Sequence, residues 1–590
     1  MDEAVPRPYH KENIGMFLPT TRQELDRLGW DELDVILITG DSYIDSPFIG
    51  VAIIGKVLIQ AGFRVGVIAQ PDIHSERDIT RLGEPKLFWG VTAGSLDSMV
   101  ANYTALNKKR KSDDYTPGGI NNRRPDRATI VYANLIRRYF KDTQPIVLGG
   151  IEASLRRVAH YDFWSDRVRR SVLFDAKADY LLYGMAEKPV VELARALQSN
   201  QDVWAIRSLC YISPEPKDGY LILPPYESVA EDKYALIDMF HVFYQNNDPI
   251  SAMGLCQKHG DRYLVQNPPA LTLTQAELDE VFKLDYERTQ HPYYEAQGQV
   301  KALETIKFSI STHRGCYGEC NYCAIAVHEG RTVQWRSPES ILAEAKQLTL
   351  HPDFKGYILD VGGPTANMYG FECEKKLSRG NCSKKRCLYP GVCPLLKVDH
   401  RPQLKLLREL RKLKGIKKVF VASGIRYDMI FSDQKCGEEY LRDMVEYHVS
   451  GQMKVAPEHT EENVLHHMGK PGKASLLKFK QVFDRLTLEA GKPQYLTYYL
   501  IAAHPGCTEQ DMLRMKRFTS QMLRINPEQV QVFTPTPSTY SSLMYFTEMD
   551  PFTRQPIFVE KDLRRKKGQK DILINKQADR LQRRGTAGKP

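Results

Sequence analysis

The stretch HRGCYGECNYCAIAVHEGR, residues 313–331, places Cys316, Cys320 and Cys323 within eight positions in the pattern C-x3-C-x2-C. It follows TIKFSIS (305–311), a short apolar run that reads as a buried strand. Eleven cysteines in 590 residues are too few for a disulfide scaffold. Cys210, Cys256, Cys436 and Cys507 are scattered, as small buried hydrophobes are. The other seven lie between 316 and 393. In a reducing compartment such crowding points to metal or redox chemistry.

Working outward from the cysteines, five more apolar runs follow TIKFSIS: GYILDVGG (356–363), KKVFVASG (417–424), QMKVAPE (452–458), QYLTYYLIAAH (494–504) and QVQVFTPTP (529–537). Helical patterns separate them. One starts at Ser337 as N-cap with Pro338 at N1, and another opens with Thr508 and Asp511 in capping-box spacing. Six strand–helix units predict an open sheet or a partial parallel barrel. A barrel puts its chemistry beyond the strand C-termini, where the three cysteines stand.

The N-terminal third shows the same alternation. DVILITG (34–40), RVGVIAQ (64–70), KLFWGV (86–91), PIVLGG (145–150) and ADYLLYG (178–184) predict strands of a doubly wound α/β domain. A helix is expected after the first, with Ser46 as N-cap and Pro47 at N1. The loop TPGGINNRRPDR (116–127) offers three arginines to an anionic group. Between 200 and 300 prolines interrupt the pattern, which reads as a connector, although Thr274 and Glu277 mark a capping box.

Iron–sulfur clusters are held by cysteine thiolates, usually four. Three thiolates leave one iron of a 4Fe–4S cluster open to another ligand. If that ligand is S-adenosylmethionine, an electron from the cluster cleaves it to a 5′-deoxyadenosyl radical, the hard chemistry belonging to the cofactor. The competing reading is a zinc site that borrows His313 or His328, although zinc ligands usually come in two separated pairs.

C-x3-C-x2-C after the first strand of a (βα)6 domain resembles the signature of the radical SAM superfamily. The resemblance implies that Cys316, Cys320 and Cys323 hold the cluster and that Tyr322 lies near the adenine. DVGGP (360–364) resembles the glycine-rich motif that contacts the methionine amino group, which implies that role for Gly362 and Gly363, with Pro364 where many members have an acid. KVAPEHTEENVLHHMGKP (454–471), IAAHPGCTEQDM (501–512) and QVFTPTPSTYSS (531–542) look like later-strand segments of radical SAM methylthiotransferases. The whole layout resembles the YgiQ-type radical SAM proteins. The N-terminal domain is similar to cobalamin-binding domains, but its first loop, TGDSYIDSPFIG, lacks the D-x-H-x-x-G motif whose histidine ligates cobalt. The expectation is a cobalamin-binding-like fold kept without cobalamin.

A second group, Cys373, Cys382, Cys387 and Cys393, stands among lysines in an insert and reads as a zinc or auxiliary cluster site. Glu152, Arg156 and Arg157 read as pocket-lining residues or ion pairs, Glu458 and His459 as site-facing or turn residues, and His466 and His467 as surface or packing residues. No P-loop, G-x-S-x-G or H-E-x-x-H occurs. The division expected is an α/β domain over 1–200, a connector over 201–300, a core over 301–560 with its insert at 373–393, and a basic, disordered tail over 561–590. That tail carries +8 of the net charge of +10 and offers phosphate contacts to RNA. The polar N-terminus does not read as a secretory signal, and the longest apolar stretch is broken by Lys56 and Arg64. A cytoplasmic enzyme with no membrane contact and an external one-electron reductant is expected. No catalytic residue or substrate is assigned. RNA methylthiolation and a non-catalytic iron–sulfur sensor are the other readings.

Overall fold

The computed structural model describes residues 17–574 except 528–529; the polar N-terminus and the tail past 574 lie outside the described residues. Strands β1 (Val35–Thr39), β2 (Val65–Ala69), β3 (Phe88–Thr92), β4 (Ile146–Leu148) and β5 (Tyr180–Leu182) run parallel in the order β2-β1-β3-β4-β5. Every residue of β1 and β2 is buried, because the sheet is covered on both faces. Alternate residues serve opposite cores: Ile36 and Ile38 pack with Trp89 and Tyr132, whereas Val35 and Leu37 pack with Leu58 and Leu193. The order reverses between β1 and β3, which opens a crevice beyond their carboxyl ends.

The helix after β1 begins later than its sequence suggests, at Gly50, with Ile49 as an N-cap that offers no side-chain bond. Ile44 and Asp45 are held extended by pairing with Gln290 and Thr289. Ser46 and Pro47 are then spent on a turn, in which the Ser46 hydroxyl accepts from the Phe48 N–H at 3.3 Å.

The connector is a correction. Residues 201–300 carry β6 (Leu209–Ser213), β7 (Leu221–Leu223), β8 (Leu255–His259) and β9 (Arg262–Gln266), which extend the same sheet to nine strands in the order β7-β8-β9-β6-β5. The sheet turns antiparallel at β6, and β8 and β9 form a hairpin through Gly260 at φ 64°. The prolines that suggested a linker sit in the turns between these strands. Arg157 ties the extension down: its guanidinium lies 4.3 Å from the Tyr183 ring centre and 4.5 Å from that of Phe243. It also donates to Gln266 and Asn247 at 2.9 Å.

The second half forms the expected partial barrel. Strand β10 (Ile310–Ser311) pairs in parallel with β12 (Val361–Gly362), and β11 (Tyr357–Ile358) with β13 (Lys418–Val419). A bridge from Ile425 to Val455 leads to β14 (Gln452–Glu458), β15 (Tyr495–Ala502) and β16 (Val530–Val532), again parallel. Ser337 caps its helix with Pro338 in the first turn, and the capping boxes at Thr274 and Thr508 are both made.

The tail is corrected in part. Leu563–Ile574 is a helix whose Lys566, Gln569 and Leu573 are buried. Gln569 accepts from the Ala503 N–H at 3.0 Å and donates to the Cys507 carbonyl at 3.2 Å. Lys566 donates to the Tyr545 hydroxyl at 2.7 Å, and burial lowers its pKa to about 8. The i, i+3, i+7 spacing of these three turns one face inward while most of the basic residues stay outside. Leu573→Ala is therefore expected to cost about 2–5 kcal/mol of stability and Arg564→Ala less than about 0.5, read from urea unfolding midpoints.

Candidate functional site

The cysteine loop leaves the barrel directly after β10. Its first residues are fixed by a short antiparallel pair, His313 and Arg314 against Trp335 and Gln334. An added Cβ on Gly318 would lie 3.3 Å from the Cys316 sulfur and 3.5 Å from that of Cys320, so both thiols flank this glycine. The Gly318 N–H donates to the Cys316 sulfur at 3.3 Å, and Thr365 stands 3.5 Å from the same atom. Burial raises the pKa of Cys316, helped by the neighbouring Cys320, and raises that of Cys323 as well. The Arg426 guanidinium lies beside Cys316 and Cys320. Burial opposes its charge, but Asp428, at 2.6 Å, keeps it protonated.

Tyr322, beside the third cysteine, donates its hydroxyl to Glu458 at 2.9 Å. Glu458 ends β14 with φ 65°, a strained value for a glutamate, and burial raises its pKa against the lowering pull of Lys470. The site-facing reading of Glu458 thus holds, whereas His459 turns away. Its Nδ1 accepts from the Glu461 N–H at 3.1 Å and its Nε2 lies 3.5 Å from the Cys507 sulfur.

Gly362 closes β12, its carbonyl accepting from the Thr312 N–H at 2.8 Å. At Gly363 a Cβ would meet the His313 ring at 2.6 Å, so that position needs glycine. His313 uses both nitrogens, with Thr312 Oγ1 at 2.8 Å and the Thr365 carbonyl at 3.0 Å. His328 directs Nδ1 to Ser154 of the N-terminal unit at 3.1 Å. Neither histidine is offered to the cysteines, so the zinc reading loses the fourth ligand it named. Among the described residues, His466, His467 and Asp550 gather ligand atoms within 4.8 Å, whereas the three sulfurs are spread wider. Tetrahedral zinc–thiolate sites hold their sulfurs about 3.8 Å apart.

A cavity of about 500 Å³ lies between the two units. One wall is the carboxyl ends of β1, β3, β4 and β5, with Gly94, Gly149, Gly150 and Gly184; the other is His313, Arg314, Gly362 and Gly363. Charged groups in its wall are engaged by protein. Asp41 pairs with Arg124 at 2.5 Å, Asp360 accepts from the Ala422 N–H at 2.7 Å, and Glu329 accepts from the Gly315 N–H at 3.0 Å. Glu187 and Arg314 pair across the two units, each leaving one buried atom, Oε2 and Nη2, without a protein partner. The arginines of the 116–127 loop are partly spent in the same way, Arg127 on Asp162 at 2.5 Å. Glu152, Arg156 and Arg157 lie outside the cavity: Glu152 accepts from Ser98 and Thr129, and Arg156 pairs with Asp97. Sequence reasoning passed over Glu187, Arg314 and Arg426: Glu187 and Arg314 are 127 residues apart, and Arg426 lies far along the chain from the cysteines it flanks.

A partial parallel barrel whose first strand runs into this cysteine loop defines a radical SAM protein. Family models agree: Radical SAM N-terminal matches residues 17–309 and Radical SAM superfamily matches 310–519. The chain belongs to the UPF0313 family of YgiQ-type radical SAM proteins. It is 56% identical to UPF0313 protein FN0734 of Fusobacterium nucleatum, over 96% of this chain and 100% of the relative. It is 49% identical to a UPF0313 protein of Thermotoga petrophila, over 95% of this chain and 99% of the relative. Among solved structures, it is similar to the methyltransferase TsrM from Kitasatospora setae, at 15% identity and TM-score 0.47, over 86% of this chain and 74% of that one. It is also similar to OxsB, at 11% identity and TM-score 0.48, over 88% and 56%. Membership implies a 4Fe–4S cluster and S-adenosylmethionine, and the donor set fits: three neighbouring thiols beside a guanidinium that favours thiolate. Among the described residues no helix is long and apolar enough to cross a membrane.

Burial lowers the pKa of His313 to about 4. The unfolded chain then binds the extra proton between about pH 6.5 and 4, so stability is full above that window and falls as pH drops through it. In His313→Asn the pH-dependent loss is expected to shrink by roughly 1–3 kcal/mol across this window, read from urea unfolding at a series of pH values.

Proposed function

We propose that this protein is a radical SAM enzyme whose substrate occupies the cavity between its two units. The carrying observation is that the cavity wall and the cysteine loop share one turn. His313, which leads into the loop, packs on Gly363, and both face the cavity. Cys316, Cys320 and Cys323 would hold the cluster, leaving S-adenosylmethionine to be bound beside it. When bound and reduced by an external one-electron donor, these cofactors would supply the chemistry of reductive S-adenosylmethionine cleavage and hydrogen abstraction.

The chain's own residues position and insulate. Gly362 and Gly363 line the cavity without side chains and would leave room there for the methionine end of S-adenosylmethionine. Tyr322 is fixed by Glu458 so that its ring stays beside the cluster loop, and Arg426 offsets negative charge on the thiolates. The cavity's aliphatic lining and satisfied charges suit a mostly apolar substrate, gripped through the free atoms of Glu187 and Arg314. Assignment of the cavity to substrate rather than to cobalamin rests on the loop 40–46, which contains no histidine. Cobalt retained after incubation with cobalamin would reverse that assignment.

Anaerobically reconstituted, reduced protein is expected to form 5′-deoxyadenosine from S-adenosylmethionine. Cys320→Ala should lower the rate at least about a hundredfold, since it removes a cluster ligand rather than a neighbour. Unreactive wild type with a confirmed cluster would refute the enzyme reading and leave the sensor.

A further inference from the structure

The insert between β12 and β13 brings its cysteines together. Cys373 is buried, and Cys387 and Cys393 are half-buried in the same side-chain cluster, built around Tyr317, Met368 and Leu388. The Cys393 N–H donates to the Cys387 carbonyl at 2.8 Å, and Cys373 and Cys387 pack in one side-chain cluster. Cys382 is exposed on the loop between Cys373 and Cys387. That loop is anchored from outside: the Asn381 N–H donates to Asp248 of the N-terminal unit at 3.1 Å, and Arg386 donates to the Glu319 carbonyl at 3.1 Å.

Residues 373–393 contain a single six-residue helix, Glu374–Arg379, and no strand. Of their apolar side chains, Leu388 is fully buried but Leu377 is 51% exposed. A segment with so little core needs a staple, and thiolates around a metal centre are the usual one. The four cysteines are free thiols. Lys376 places its ammonium 4.5 Å from the Tyr317 ring centre, and Lys384, Lys385 and Arg386 stand beside Cys387 in the sequence, so a negatively charged centre here would sit among cations.

We propose that Cys373, Cys387 and Cys393, with Cys382 closing from the exposed side, bind a second iron–sulfur cluster, fully ligated by protein. Four thiolates leave no open corner, so this centre differs in kind from the one on the 316–323 loop. Among the described residues no three cysteine sulfurs gather within 4.8 Å, a spread that favours a cluster over a single zinc ion. The two centres are neighbours, because Cys316 packs against the same side-chain cluster as Cys387 and Cys393.

The test counts iron, sulfide and zinc in full-length, anaerobically reconstituted protein. The triple variant Cys316→Ala, Cys320→Ala, Cys323→Ala should retain about four irons and about four sulfides per chain. Adding Cys387→Ala should remove them. A triple variant that unfolds like wild type but holds no iron overturns the proposal, and so does one holding about one zinc and no iron. If the first cysteine triplet binds nothing, iron in the triple variant will equal that of wild type and will fall only with Cys387→Ala. That outcome separates the two sites.

Discussion

Arg314 stands two residues before the first cysteine of the 316–323 loop and pairs with Glu187, at the start of the helix that follows β5. Both side chains are nearly inaccessible, 7% and 5% exposed. Charges buried so deeply are retained at a high desolvation cost, and removing one partner typically costs about 3–5 kcal/mol. The pair ties the start of the cysteine loop to the N-terminal unit. Together with the bonds from His328 to Ser154 and from Asn247 to the Ala326 carbonyl, it sets the spacing between the cysteine loop and the N-terminal unit, and so the shape of the cavity between them. A second buried set, Arg288 and Arg336 on Glu344, braces the barrel side of the same seam, with both Arg314 and Arg336 over the Phe282 ring at 5.3 and 4.4 Å.

The strands were readable because parallel strands buried on both faces leave an unmistakable run such as DVILITG. Caps were readable where the partner is three residues away, as at Thr274 and Thr508. The strands between 201 and 300 were hidden by their flanks. Pro214, Pro216, Pro224 and Pro225 mimic a linker, and the strands they bound are short and sit toward the sheet's edge, where prolines are tolerated. A signal was there: LCQKH and RYLVQ are separated by Gly260 and Asp261, a two-residue hairpin turn. In the tail, a charge count masked a helical face that only the positions of Lys566, Gln569 and Leu573 reveal.

The cysteine triplet stood out from its spacing alone, because three cysteines lie within one short loop. Its surroundings did not. Tyr322 meets Glu458 across 136 residues, and Arg426 arrives from the segment after β13. A strand end can be placed from sequence, but which of its side chains turns toward the loop depends on barrel closure. Glu458 illustrates this: a left-handed backbone at the end of β14 aims its carboxylate at Tyr322, and nothing in QMKVAPEH announces that conformation.

The site combines two demands that pull against each other. On the proposed reading, a site that shelters a reactive intermediate excludes water, yet the cofactors it would hold are charged. The chain separates these demands by side of the loop. Arg426, Asp428 and Lys470 gather on the Glu458 side, where Asp428 and Glu458 balance the cationic groups. On the cavity side, glycine backbone and aliphatic side chains dominate, and the carboxylates Asp41, Asp360 and Glu329 are tied to Arg124 and to backbone N–H groups. His313 stands at the divide, and burial keeps it neutral at ordinary pH. It therefore packs Gly363 in place without adding charge to either side.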